Sequence, residues 1–386
     1  MSLKEKYFPD LEPAAYLNHA GISPLARPVL AAIQRTSEAY ARGGSRALRH
    51  ALAEREVLRE QLARLAGVDP TWVGITQSTS TGLLWVAMGF PWRQGDRVAL
   101  LRGEFPANIL PWQLAASLYG LEIQWLDLAE LKAICCGATW QPPRLLALSW
   151  VQFQTGEAVS LAELAKLRKI SGCAVCLDAI QGLGALTMDW QANPLDFACG
   201  GGHKWLLGPE GCGYVIASPE WVSNFRPVCE GWLGLEKPVD FLLEGPGLLD
   251  YQRPLRRAVS RIEFCAQNQL GISGLRASTG MMLELGAQEM SSRILATATS
   301  LRQGLTRRGL ALGSHHSGIV SFLPGPGSSD LRQLLGELET SGVVGASPDG
   351  HLRFSPHFHT SEVEVALALS AVDRLLARGW LKLPMA

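Results

Sequence analysis

Short apolar runs alternate with longer amphipathic ones along most of this chain, and the alternation predicts a parallel sheet covered by helices. Strands are expected at Trp72–Thr76, Arg97–Leu101, Leu121–Leu126 and Arg144–Trp150, over the segment CAVCLD that ends on Asp178, up to Cys199, and in GYVIAS after Gly213. Between them, Gly82–Met88 reads as a helix, Glu104–Trp112 as a loop entering one, and Ser160 caps another with Glu163 three residues on. Upstream, Tyr16–Ala20 looks extended, Ile22–Pro28 turns into a helix, and helical periodicity runs to Leu65 with a flexible break at Ala41–Ser45. Downstream, Arg226–Pro254 is rich in Pro and Gly and reads as irregular, and Ile262 to about Leu312 is helical. The end of the chain gives a strand with Arg353, a histidine-rich turn and a helix capped by Thr360 or Ser361. Strand–helix alternation of this kind is the signature of an α/β fold, whose ligands bind beyond the carboxyl ends of the strands.

Composition narrows the class without naming it. The 386 residues are 47% hydrophobic with a formal net charge of +0, and the length suggests two domains. No Lys/Arg run points to nucleic acid, and no apolar run approaches a membrane span. The opening MSLKEKYFPD lacks an apolar leader core, so a cytoplasmic protein is the default expectation. Eight cysteines are scattered, with Cys135 and Cys136 adjacent, which fits reduced thiols better than a disulfide framework. Cys173 and Cys176 form a C-x-x-C, but on an apparent strand they point to opposite faces, and burial explains them better than metal or redox chemistry. His357 and His359 alone do not make a ligand set, and no metal is expected.

The most informative stretch is DFACGGGHKWLLGPEGCG, Asp196 to Gly213. A buried strand opens into three glycines, which let backbone approach a bound group closely and seat His203 and Lys204 at the strand exit. A lysine half-buried beside Trp205 and Leu206 loses hydration of its charged form, which frees the amine for nucleophilic attack. A second stretch, Ser78 to Thr81, puts four hydroxyls between a strand and a helix N-terminus. That is an anion site, or else plain N-capping by Thr79 or Ser80. Asp178, Gln181 and Lys204 all fall at strand ends, as does the hydroxyl cluster. An anion cradle, a strand-end aspartate, a lysine and a late arginine are the parts a phosphorylated pyridinium cofactor would use.

In combination, YLNHAG near the start, LDAIQ…GGGHKWLLGPEGCG in the middle and LRFSPHFHT near the end resemble the class V aminotransferases. This is the branch of fold type I pyridoxal-phosphate (PLP) enzymes that includes cysteine desulfurases, kynureninases and isopenicillin-N-epimerase-like proteins. The resemblance spans roughly Tyr16 to Leu376. It implies a large three-layer α/β domain with a mostly parallel sheet over 16–260, after an arm at 1–15. A smaller C-terminal α+β domain would follow over 261–386, with a connecting helix at its start. It implies that Lys204 is the Schiff-base lysine and proton shuttle, that Asp178 partners the pyridinium nitrogen and that Gln181 bonds the phenolic oxygen. Thr79 and Ser80, with His203, would hold the phosphate of pyridoxal 5'-phosphate, and Phe105 would stack on the cofactor ring. Arg353 would anchor a substrate carboxylate, with Asn18 and His19 bordering the substrate. Family members usually pair as homodimers with the site at the interface.

Two departures from the family pattern stand out. The stretch TSGVVGASPDGHLR before the late arginine has no cysteine, which disfavours persulfide chemistry. Gly201 and Ala266 replace a serine and a threonine that often contact the phosphate, the latter from the neighbouring subunit. The expected activity is transamination of an amino acid. A kynureninase-like hydrolase, a C–S lyase and an epimerase are alternatives on the same fold, and a degenerate PLP-binding protein with little turnover is a further one. A nucleotide-binding dehydrogenase would need G-x-G-x-x-G in the first strand–helix turn, which reads STSTG instead.

Overall fold

The computed structural model describes residues 1–226, 231–264, 266–312 and 316–383. Seven strands build its central sheet: β1 (Val73–Thr76), β2 (Arg97–Leu101), β3 (Glu122–Leu126), β4 (Leu145–Ser149), β5 (Ala174–Asp178), β6 (Phe197–Gly201) and β7 (Gly213–Ala217). Their spatial order is β1-β7-β6-β5-β4-β2-β3. Only β7 runs against the others, between β6 and β1. The fold is α/β, of fold type I, with the mixed but mostly parallel sheet expected from the sequence.

The alternation of side chains explains why the sheet is a middle layer. Val98 and Leu100 of β2 and Leu145 and Ala147 of β4 enter one apolar cluster. Their neighbours Ala99, Leu101, Leu146 and Leu148 enter the other. Residues two apart share a face, so a strand that is apolar at every position demands a cover on both sides.

Helices provide it, with boundaries that depart from the periodicity in two places. The helix expected at Gly82–Met88 starts earlier, at Thr79, and runs to Gly89. Its cap is Ser78, whose Oγ accepts from the Thr81 N–H at 3.1 Å, and not Thr79 or Ser80. The long helical region after Ile262 is two helices, Gln269–Leu285 and Ala287–Thr306, broken at Gly286 with φ of 85°. That left-handed φ is open to glycine and closes the first helix. Upstream, Arg27–Gly43 and Leu48–Ala66 flank a 3-10 turn where the flexible break was expected. Helix Gln269–Leu285 packs on both of them. The last helix, Glu362–Ala377, is capped by Ser361 in a capping box with Glu364.

The beginning of the chain packs with its end. Ala15–Tyr16 pairs in parallel with Val343–Val344, and Ala15 and Leu17 join a third apolar cluster with Leu301, Phe322, Phe354 and Val372. Strand Leu352–Phe354 pairs antiparallel with Val320–Phe322 beside it. The irregular stretch from Arg226 to Pro254 contains, among the described residues, a 3-10 turn at Trp232–Gly234 and a short helix at Asp240–Leu243, and its residues 227–230 lie outside the described ones. Cys173 and Cys176 are both buried and free, and Cys135 and Cys136 are free as well. Among the described residues, no helix is long and apolar enough to cross a membrane.

Candidate active site

Strand order reverses in chain sequence between β2 and β4, and sheets of this kind bind ligands beyond the carboxyl ends of the strands at that point. Phe105 follows β2, Phe153 follows β4, and Asp178 ends β5. Lys204 follows β6 by three residues, on a turn whose Leu207 has a left-handed φ of 56°.

Lys204 is largely but not fully buried. Burial pulls its ammonium down to about 8, the Arg353 cation adds to the lowering, and the Asp178 carboxylate opposes it. Its Nζ sits over the Phe105 ring, 5.8 Å from the centroid. Phe105 meets Phe153 edge to face at 5.3 Å and an interplanar angle of 88°. An amine lowered to about 8 is roughly a tenth free base at pH 7 and half at pH 8, far more than an ordinary lysine.

Asp178 is aligned with Ser149 on one side and Cys199 on the other, so the ends of β4, β5 and β6 form one edge. Its Oδ1 accepts the Ile180 N–H at 3.0 Å. Burial raises its carboxyl to about 7; the Ile180 bond and Lys204 oppose the rise, and Glu104 adds to it. A carboxylate that is costly to ionise alone becomes a strong partner for a cation brought next to it.

The hydroxyl turn sits at a helix N-terminus, where an anion would find donors. Because Ser78 supplies the cap, Thr79 and Ser80 stand at the first two helical positions with N–H groups that have no partner within the helix. Ser80 is exposed, whereas the buried Thr79 Oγ1 has no hydrogen-bond partner among the described residues. His203, next to Lys204 in the chain, is half-buried, and burial lowers its imidazole below the ordinary range. A Cβ at Gly201 would lie 3.1 Å from the His203 ring, so the missing side chain at 201 makes room for that imidazole.

Gln181 is held in place on both sides: its Nε2 donates to the Ala20 carbonyl at 3.0 Å and its Oε1 accepts the Trp205 indole N–H at 2.8 Å. One amide N–H remains for another acceptor. Arg353 donates to the Phe153 carbonyl at 2.8 Å and to Asn18 Oδ1 at 3.3 Å, while its Nε is buried without a hydrogen-bond partner among the described residues. Burial lowers the guanidinium to about 10. Asn18 therefore stands beside Arg353. His19 stands elsewhere. It is fully buried among Tyr16, His357 and His359, behind the lysine turn.

Three residues of the site escaped the sequence reading. Glu104 is buried, and its carboxylate accepts from Ser149 N at 2.8 Å, from the Ser149 hydroxyl and from Asn108 Nδ2 at 3.1 Å. It staples the loop bearing Phe105 to the end of β4. A carboxylate at a strand exit inside LLRGEFPANIL was the available signal. Phe153 and Ser23 carried none, since a lone aromatic and a lone serine are ordinary in loops.

A family model for aminotransferase class-V matches residues 15–339. The chain belongs to that family. Isopenicillin N epimerase of Streptomyces clavuligerus is 28% identical over 342 residues, covering 82% of this chain and 83% of the relative. A probable cysteine desulfurase of Pyrococcus abyssi is 26% identical over 404 residues and covers 96% of each chain. Among solved structures, a mutant of C-DES with glycine covalently linked to the PLP cofactor superposes with a TM-score of 0.85 at 23% identity, covering 96% of this chain and 98% of the other. Class V proteins are PLP-dependent enzymes that act on amino acids.

Proposed function

We propose that this class V enzyme transfers the amino group of an amino acid, with Lys204 as the amine that holds the cofactor and moves the proton. The observation that carries the reading is the setting of Lys204: a buried amine lowered to about 8, with an edge-to-face pair of phenylalanines on its flank and an arginine beyond them.

The residues present fit pyridoxal phosphate. The unpartnered Thr79 hydroxyl at a helix N-terminus, with Ser80 and His203, would hold the phosphate. Asp178 would face the ring nitrogen, the spare Gln181 N–H the phenolic oxygen, and Phe105 the ring face. When bound, the cofactor supplies an electron sink that stabilises negative charge at the substrate α-carbon. Asp178 supports that sink by holding a proton on the ring nitrogen. Arg353 would orient the substrate by pairing its carboxylate with the guanidinium. Lys204, once its amine is free, takes the α-proton and returns it at a second atom on the same side. Phe105 and Phe153 carry no acid or base, so they exclude water and offer no second proton donor on their flank.

We further propose that the enzyme is a homodimer. Leu110, Leu114 and Leu118 lie on one face of helix Leu110–Tyr119 by their four-residue spacing, and all three are exposed. Sedimentation of the purified chain tests this.

The activity test is product analysis with a panel of amino acids after loading with PLP. Transamination releases one equivalent of oxo acid per site without ammonia when no acceptor acid is present. Ammonia with a side-chain fragment would instead establish a lyase or hydrolase, and the mirror-image amino acid an epimerase. Lys204→Ala should abolish each outcome.

A further inference from the structure

Four successive carbonyls of the lysine turn are each held by a donor from another part of the chain. The His203 carbonyl accepts Ser23 N at 2.8 Å, and the Lys204 carbonyl accepts the Ser23 hydroxyl at 2.7 Å. The Trp205 carbonyl accepts His357 Nε2 at 3.1 Å, and the Leu206 carbonyl accepts the Ser278 hydroxyl. Inside the turn, Leu207 N closes back on the Lys204 carbonyl at 2.9 Å, with Leu207 itself at φ of 56°. A non-glycine residue in that region is strained and persists only where its surroundings enforce it. The external donors supply the enforcement.

The hydrogen bonds also fix the protonation of two imidazoles. Ser23 has one hydroxyl proton, and it goes to the Lys204 carbonyl. His19 Nδ1, 2.8 Å from the Ser23 oxygen, must then be the donor to it. His357 Nδ1 accepts the Phe358 N–H at 2.9 Å, so its proton sits on Nε2 and points to the Trp205 carbonyl. Each ring is neutral and each has a set tautomer. His357 also stacks on the Trp205 indole at 5.6 Å, and that indole donates to Gln181.

We propose that Ser23, fixed by His19, and His357 are positioning residues that lock the peptide units of 203–205 and so aim the Lys204 amine at the space between Phe105 and Asp178. The inference rests on the reading of Lys204 as the working amine. The physical reason is leverage. A small rotation of the peptide planes at 204 swings the end of a four-carbon stem across the site, and misplacement by about 1 Å costs roughly a hundredfold in rate. The clamp also explains the burial of His19, which faces Ser23 and the other histidines.

The test is pH-dependent trace acylation of amines on the full-length chain freed of bound carbonyl compounds, with peptide mapping of Lys204. Wild-type Lys204 should titrate well below the other lysines. In Ser23→Ala the amine should gain mobility and water, raising its apparent pKa by about one unit and slowing its acylation at neutral pH roughly tenfold. Ser23→Thr, which keeps the hydroxyl, should restore the wild-type profile. In the PLP-loaded enzyme, Ser23→Ala should lower kcat with little change in KM, because Arg353 is untouched. Ser23→Cys, a weak donor of similar volume, gives the same readouts should the alanine variant not fold. A lower melting temperature with an unchanged Lys204 profile would show a merely structural role and overturn the proposal. Failure of wild-type Lys204 to stand apart from other lysines would overturn the assignment of the amine itself, and the clamp with it.

Discussion

The Nζ of Lys204 lies 5.8 Å from the centroid of the Phe105 ring, although 99 positions separate the two residues in the chain. The ring, itself 47% exposed, is the outer wall that keeps water from the amine. Phe105→Ala should therefore let the Lys204 pKa rise from about 8 toward its ordinary value. Loss of an aromatic contact of about 0.5–1.5 kcal/mol should also weaken PLP binding by up to about tenfold. Amine labelling against pH and a PLP titration check the two effects separately.

Asp178 sets a second expectation. With its folded pKa raised to about 7, it adds no cost while protonated at low pH, and stability is lost as pH rises from the ordinary aspartate range through 7. Asp178→Asn cannot charge, so in the cofactor-free protein it should be the more stable form above pH 7, by on the order of a few kcal/mol. It should at the same time bind PLP less tightly. Removing the carboxylate also removes the one charge that raises Lys204, whose pKa should then fall further. Melting curves at pH 5 and pH 8.5 decide the first point.

The histidine cluster should make the protein acid-labile. His19, His357 and His359 are all held below the ordinary value by burial, His357 at about 4. Their rings lie 4.8, 5.1 and 6.2 Å apart, with the Lys4 cation acting on His359 and the Tyr16 ring packed on His19. The unfolded chain takes up protons near pH 6.5 that the folded one refuses, so stability falls as pH drops below about 6.5, by about 1.4 kcal/mol per pH unit for each histidine. His359, whose ring nitrogens have no partner among the described residues, packs at a tilt against Phe8 at 4.3 Å. His359→Phe should flatten part of the slope in urea melts between pH 7.5 and 5.

Arg353→Lys should raise KM for carboxylate substrates while leaving PLP binding in place. A bidentate charge-assisted pair is replaced by a point charge, a loss of about 1.5–3 kcal/mol or roughly 10- to 150-fold. Equal KM in both enzymes would remove Arg353 from substrate binding.

Glu104→Gln tests the staple. An amide in place of the carboxylate sets an N–H against donors from Ser149 and Asn108, and should loosen the Phe105 loop. It also removes a negative charge that raises Asp178, whose pKa should drop. Carboxyl titration by isotope-edited spectroscopy reads that shift directly.

Local patterning was enough to place Lys204, Asp178 and the hydroxyl turn at strand ends. An apolar run followed by glycine or a helix start stops a strand wherever it occurs, and strand ends in an α/β chain meet at one edge. The motif residues then gave the family. Boundaries were less secure. Ser78 rather than Thr79 caps its helix because Ser78 holds the extended backbone that lets its Oγ reach the Thr81 N–H, a choice among four adjacent hydroxyls that sequence does not rank.

What only the tertiary structure decided are relationships between distant segments. His19 meets His357 across more than 300 residues, Glu104 meets Ser149 across 45, and Ser23 holds Lys204 across 181. The lowered amine and the raised carboxyl belong to the same category. Each depends on how completely other elements exclude water from it, and burial is a property of the packed molecule, which no window of sequence contains.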